Sequence, residues 1–420
     1  MAASLPEKPR LRPVGVRQTQ RDGTHFYVLT DPQRFSEEGL MVPLAFGQYL
    51  ALADGTRTMD EIARIAVQEG APAVPAGPLR DLFEQLDGLL MLENGAFTAE
   101  RYRRLQAYRD APHRVPALAG LSYPAKPEQL RQVLDAYASR NVSPQTAPGE
   151  RLAGIVSPHI DYMRGGKCYA RVWRDAAPDL KDVELFVIFG TDHNGSGPRL
   201  TLTRQSYSTP WGTLPTDLGL VERLAEALSS DPEVEDHPFA DEFNHIGEHS
   251  IELASVWLHH VMGNRRVTVL PVLCGSLNDY VSGTGEAAGE PADLPHVAEA
   301  MAILKEVAAE RRTVFVAAAD LAHVGPAFGD RSRVTQAERE RVKLADRWLL
   351  DAIARGDRDG FLASVRSVKD ANRVCGLAPI YMTLWATGET CGKWMGYAQC
   401  AADDENGSFV SIAGAVLYRP

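Results

Sequence analysis

The sequence predicts an α/β chain in which a mostly parallel sheet carries helices on both faces and is preceded by a smaller α+β domain. Two observations carry that reading. From residue 150 onward, near-continuous apolar runs at 154–157, 185–190, 267–275 and 313–319 alternate with amphipathic stretches of helical length, the pattern of strands covered on both faces. The chain also has 420 residues and 45% hydrophobic content, which is enough for one large core and a second, smaller one.

Taken in order, residues 1–112 form the first domain. A strand is expected at 25–29, a helix at 44–53 ending at Asp54-Gly55, and a helix at 58–67 with Asp60 and Glu61 in its first turn. A third helix at 78–92 runs into the turn Glu93-Asn94-Gly95 and a short strand at 96–98. Helices followed by a turn and a short strand point to a winged-helix module. Its 13 Lys and Arg against 15 Asp and Glu give a net charge of −2. That balance lacks the concentrated basic face that phosphate binding needs, so contact with a peptide or protein is expected in place of DNA.

Pro112, Pro116, Pro124 and Pro127 mark the boundary, and the second domain spans 113–420. It opens with a helix at 129–139 and a polar loop at 143–149. The four strands then alternate with helices at 218–229, 250–262, 294–311 and 336–355, and the tail at 407–418 reads as a late strand.

The net charge of −11 and a pI near 5.5 argue against nucleic acid or an anionic membrane as the main partner. The first residues contain no apolar leader core, and no stretch approaches the roughly 20 apolar residues of a membrane span. A soluble, cytoplasmic protein is expected. Cys168, Cys274, Cys375, Cys391 and Cys400 are odd in number and lack Cys-x-x-Cys spacing. Neither a disulfide framework nor a zinc ribbon is indicated.

Three of the apolar runs are followed closely by histidine: His159, His193 and His323, the last with Asp320 just before it. Open α/β sheets gather ligands at the carboxyl ends of their strands, so these residues can converge although they are distant in sequence. Cys375, in Val-Cys-Gly, adds a sulfur donor. Two imidazoles and a thiolate would leave open positions on zinc, iron or copper. Asp320 could set the tautomer of His323 for acid/base work. Glu248 and His249, at the start of the helix at 250–262, either line the pocket or cap that helix. His259 and His260, late in the same helix, are assigned no chemistry.

Two resemblances add to this. Residues 52–62 (Leu-Ala-Asp-Gly-Thr-Arg-Thr-Met-Asp-Glu-Ile) and 86–90 (Leu-Asp-Gly-Leu-Leu) resemble PqqD-like peptide-recognition domains. The larger part of the chain resembles the MEMO family, which includes AmmeMemoRadiSam system protein B. The matching stretches include Ser-Pro-His-Ile-Asp-Tyr at 157–162, Phe-Gly-Thr-Asp-His-Asn at 189–194, Glu-His-Ser-Ile-Glu at 248–252, Asp-Leu-Ala-His at 320–323, Val-Cys-Gly at 374–376 and Tyr-Ala-Gln at 397–399. They run in order from about residue 113 to the C-terminus.

This resemblance implies a fold similar to LigB-type class III extradiol dioxygenases. It implies His159, His193 and Cys375 as metal ligands, His323 and Asp320 as catalytic neighbours, and Asp192, Glu248, His249 and Tyr397 as substrate-binding residues. LigB-type sites use two His and one Glu, and here a thiolate replaces the carboxylate. Asp192 and Asn194 depart from the Ser and His expected at those positions.

The reading that follows is a metal-dependent oxidoreductase, dioxygenase-like, using Fe(II), with copper or zinc as the alternatives. Its substrate would be a small molecule or a peptide, and a protein partner could dock on the N-terminal module. Two rivals are a peptide- or protein-binding module with an inherited metal pocket and a zinc-dependent hydrolase.

Overall fold

A computed structural model describes residues 5–137, 150–195, 197–229, 238–283 and 289–419. The polar loop expected at 143–149, and the last two residues of the helix expected at 129–139, lie outside them. The chain divides into two compact units, Met1–Asp110 and Ala111–Pro420. Among the described residues no helix is long and apolar enough to cross a membrane.

The first unit is built on an antiparallel meander of β1 (Gly15–Arg21), β2 (Thr24–Thr30) and β3 (Leu40–Pro43). β1 and β2 meet at Arg21↔Thr24 through Asp22-Gly23, both at positive φ (50° and 78°). This is the two-residue connection whose backbone twist matches that of paired strands. Short helical turns over Leu44–Phe46 and Gly47–Ala51 lead to the helix Met59–Gln68, which Thr58 and Glu61 close with a reciprocal capping box. The helix Ala76–Gly88 follows. The strand expected at 96–98 is instead the first turn of a helix, Gly95–Asp110. Asn94 starts it, because its side-chain oxygen accepts from the Phe97 amide at 2.9 Å and its carbonyl from the Thr98 amide at 2.9 Å. Asn-Gly reads equally as a turn or as a cap, and here it caps.

The second unit is organised by one mixed sheet. Its centre is four parallel strands in the order β4 (Arg151–Ser157), β10 (Thr313–Ala318), β5 (Leu185–Thr191) and β9 (Thr268–Cys274). The edges are antiparallel. β6 (Leu200–Leu202) adds to β9, while β13 (Phe409–Arg419) adds to β4 and itself pairs with β11 (His323–Val324) and β12 (Cys391–Ala401). β7 (Tyr207–Thr209) and β8 (Gly212–Leu214) form a separate hairpin.

Alternation along each strand feeds two cores. Phe315 and Ala317 of β10, with Val187 and Phe189 of β5, pack beneath the helices Leu218–Leu228, Pro295–Glu310, Gln336–Ala354, Arg358–Ser367 and Leu377–Thr387. Val314, Val316 and Ala318, with Phe186 and Ile188, face the helices Pro127–Ala136, Tyr162–Ala176 and Ser250–Met262. All six residues of β10 are buried, as a central parallel strand requires. The carboxyl ends of β4, β10 and β5 are therefore neighbours, and the loops leaving them share one edge.

Candidate metal centre

β4 ends in Ser157-Pro158-His159. The His159 ring is buried, at 2% exposure, and its Nδ1 donates to the Ala318 carbonyl at the end of β10 at 2.9 Å. A carbonyl can only accept, so the proton sits on Nδ1 and the lone pair on Nε2. The Asp320 carboxylate, on the loop leaving β10, accepts from the backbone amides of His159 at 2.8 Å and Ile160 at 3.3 Å. It therefore clamps the β4 exit loop against that of β10.

β5 ends at Thr191, and His193 follows. Its Nδ1 donates to Glu248, 3.0 and 3.1 Å from the two carboxylate oxygens, and its backbone amide donates to the same group at 3.1 Å. This ring too is left with Nε2 free to coordinate. The two alternatives for Glu248 merge in one side chain, since the carboxylate that anchors His193 also accepts from the amides of His249 (2.8 Å) and Ser250 (2.9 Å) at the head of the following helix. Burial works to raise the pKa of Glu248, but His193 and His249 hold it well below the usual carboxylate range. The His249 ring stacks on His193 with centroids 4.6 Å apart and meets His159 edge-on at 5.3 Å.

Cys375 reaches the same place from the loop before the helix Leu377–Thr387. Its carbonyl accepts from the Thr191 hydroxyl at 3.1 Å, and Gly376 packs so tightly on the Asp320 carbonyl that a Cβ there would lie 2.3 Å from it. Only glycine permits that approach. Donor atoms of His159, His193 and Cys375 all lie within 4.8 Å of one another, and Cys375 Sγ is 3.2 Å from His159 Nε2. Ligands about 2.0–2.3 Å from a common ion are separated by such distances, so the three residues fit a metal. Burial, reinforced by Asp320, raises the Cys375 thiol well above its ordinary value. A second group, His193, Glu248 and His249, also lies within that range, but Glu248 is already engaged with the two imidazoles and three backbone amides and serves as an anchor beside the centre.

A pocket of about 560 Å³ opens on one side of the centre, lined by His193, Cys375, Asp192, His323, Asp370 and Arg373 among others. Asp192 is held by Asn244, whose amide donates to both its oxygens at 3.0 Å, and burial pushes its pKa up to about 6. His323 lines the pocket, but its partner differs from the one expected. Its Nδ1 donates to the Leu321 carbonyl at 3.1 Å, while Asp320 is committed to the amides of the β4 exit loop. Burial lowers the pKa of His323.

Tyr397 is not brought into this group. It lies in β12, where the pairing with β13 shifts register between Met395 and Ala398, and its hydroxyl donates to Asp346 at 2.8 Å. His259 and His260 are engaged with Thr209 and Asp135. Thr191, Asn244 and Gly376 were not singled out by the sequence. Each acts through one or two hydrogen bonds or a close approach, which has no periodic signal, although Gly376 stood beside Cys375 in Val-Cys-Gly.

Comparison with known proteins places the larger part of the chain in one family. The family model for Memo-like protein matches residues 114–416. A MEMO1 family protein of Methanosarcina mazei is 28% identical over 282 residues, covering 67% of this chain and 88% of the relative. One from Methanopyrus kandleri is 28% identical over 317 residues, covering 73% and 99%, and one from Aquifex aeolicus is 23% identical over 316 residues, covering 75% and 76%. With the family model spanning well over half of the sequence, the chain belongs to the Memo-like protein family.

Proposed function

We propose that this protein is a metal-dependent oxidoreductase, dioxygenase-like, in which His159, His193 and Cys375 hold iron. The observation that carries the reading is the pair of anchored imidazoles, each with Nδ1 tied to an acceptor and Nε2 turned free beside one thiol at the mouth of a pocket. Two His and one anionic ligand beside an open pocket resemble the two-His-one-carboxylate pattern of non-haem iron centres, with a thiolate in place of the carboxylate; the same donors also match the His2Cys set of copper sites, and we favour iron for the open side. Bound there, the metal would supply redox chemistry towards a small-molecule or peptide substrate.

The chain's own residues supply the rest. Glu248 and the Ala318 carbonyl fix ring orientation, so no reorganisation is needed on binding. His323, neutral because burial lowers its pKa and protonated at Nδ1 by its bond to Leu321, presents a basic Nε2 that takes a proton from substrate in the pocket. Asp192, also in the pocket lining, orients the substrate, with Asn244 holding it in place.

Residues 1–112 we read as a winged-helix, PqqD-like module that contacts a peptide or protein partner. Support comes from its separate hydrophobic core, although its three-stranded sheet precedes its helices, the reverse of the order on which the winged-helix expectation rested. A cytoplasmic location fits the five cysteines, all of them free thiols.

The test is anaerobic reconstitution of the metal-free protein with Fe(II), Cu(II) and Zn(II) in competition, followed by oxygen-electrode assays with a panel of catechols and peptides. Oxygen uptake that requires Fe(II) and drops in His323→Gln supports the reading. Tight zinc binding with hydrolysis and no oxygen uptake, or peptide capture without turnover, overturns it.

A further inference from the structure

The solvent face of the helix Tyr162–Ala176 carries Arg164, Lys167, Arg171 and Arg174. Their spacings of three, four and three residues stack all four on one side of an α-helix, over about 15 Å of its axis. Together they line a pocket of about 570 Å³, closed by Ala136 and Tyr137 on one side and by Gly396, Tyr397 and Ala398 of β12 on the other. Among the described residues no Asp or Glu lines it, and none of its described lining residues also lines the pocket beside the candidate metal centre.

Four cations gathered in one concavity are unexpected in a chain of net charge −11. Like charges at i,i+3 and i,i+4 repel, so a purely structural helix face gains from mixing signs. Two of the four are partly neutralised: Arg164 pairs with Asp161 at 2.6 Å, and Arg174 approaches Asp135 at 3.9 Å. Lys167 and Arg171, the central pair, are exposed and have no ion-pair partner among the described residues. Their charge is therefore available to a ligand, and the pocket walls hold that ligand against them.

We propose that this pocket binds a small organic polyanion, a molecule carrying two or more phosphate or carboxylate groups. A lone anion would satisfy only part of a row of cations this long. A separated pair of anionic groups can engage the Lys167–Arg171 centre and one flanking arginine at once, through charge-assisted hydrogen bonds. The walls limit the ligand to the size of a small molecule.

The experiment is calorimetric titration of the full-length, metal-loaded protein with fructose 1,6-bisphosphate and, separately, with tricarballylate, at low and moderate salt. It is repeated with Lys167→Gln/Arg171→Gln and with a control of equal charge change on an exposed face elsewhere, Lys343→Gln/Arg355→Gln. The expected result is a one-to-one complex with at least one probe, weakened by about tenfold or more in the pocket variant and unchanged in the control. The bisphosphate alone binding identifies a phosphate ligand, and the tricarboxylate alone a carboxylate ligand. Metal content and the thermal transition should match the parent in both variants, because the substituted side chains lie on the surface. Neither probe binding below about 1 mM, or equal weakening in the pocket and control variants, overturns the proposal.

Discussion

Cys375 Sγ lies 3.2 Å from His159 Nε2 although the two residues stand 216 positions apart in the chain. The contact is assembled by backbone. β10 separates β4 from β5, its last carbonyl orients His159, and the loop leaving it receives Gly376 at a distance that excludes a side chain. Sulfur and the His159 nitrogen are thus brought together largely by main-chain packing.

Replacing Cys375 with Ser should remove most bound metal, because a hydroxyl is a harder and far less acidic donor than a thiol. Elemental analysis after dialysis checks this, and full stoichiometry in the variant would show that Cys375 is not a ligand. The parent should also bind metal more tightly as pH rises. Burial and Asp320 keep the free thiol protonated, so coordination releases a proton and affinity gains about tenfold per pH unit. A flat affinity profile between pH 6 and about 8 would contradict that proton release.

Glu248→Gln should weaken metal affinity by about 10–100-fold, the usual effect of losing a carboxylate that orients a ligating imidazole. Competition against a chelator measures it. Unchanged affinity would mean that the His193 ring holds its orientation without Glu248.

Glu252→Ala should destabilise the protein by about 3–5 kcal/mol, since it strands a buried cation. The Glu252 carboxylate takes Arg114 at 2.7 Å, the Tyr123 hydroxyl at 2.6 Å and the amides of Ala117 and Leu118, with both charged side chains 1% exposed. Urea unfolding reads the change, and a loss under about 1 kcal/mol would place the pair outside the stability-determining core.

Asp346 should make the fold less stable as pH rises through mild acidity. Burial pushes its pKa from 3.8 up to about 6 against the hydrogen bonds of Ser411 and Tyr397. The native state therefore keeps the proton longer than the unfolded chain, and stability falls between those two values and levels off above them. In Asp346→Asn this slope disappears, so between pH 5 and 7.5 the variant should gain about 1 kcal/mol relative to the parent. Parallel denaturation profiles at the two pH values would contradict the assignment.

Much of the main sheet was legible because its strands are short, apolar and bounded, and a histidine after each of three runs marked the edge that holds the candidate centre. The helix Leu377–Thr387 was not, because ten of its eleven residues are buried and a segment apolar all round has no 3.6-residue alternation to read. β12 also escaped. Most of its residues are only partly buried, and its pairing is interrupted between Met395 and Ala398. Tyr397 was carried by the resemblance alone, and nothing in its neighbours could reveal that its hydroxyl would face Asp346. For a similar reason the hydrogen-bond partners of Asp320 were not legible, although its charge does act on His323. Adjacency in sequence favoured His323, whereas the fold presents two backbone amides of the β4 exit loop, 161 and 160 positions away.

The insertion of β10 between β4 and β5 has a consequence for biogenesis. Until residues 313–318 emerge from the ribosome and take their central place, the segments bearing His159 and His193 have no common support, and the sulfur arrives later still. Assembly of the candidate donor set must therefore be a late event of maturation, so nascent or truncated chains should lack the complete cluster of His159, His193 and Cys375.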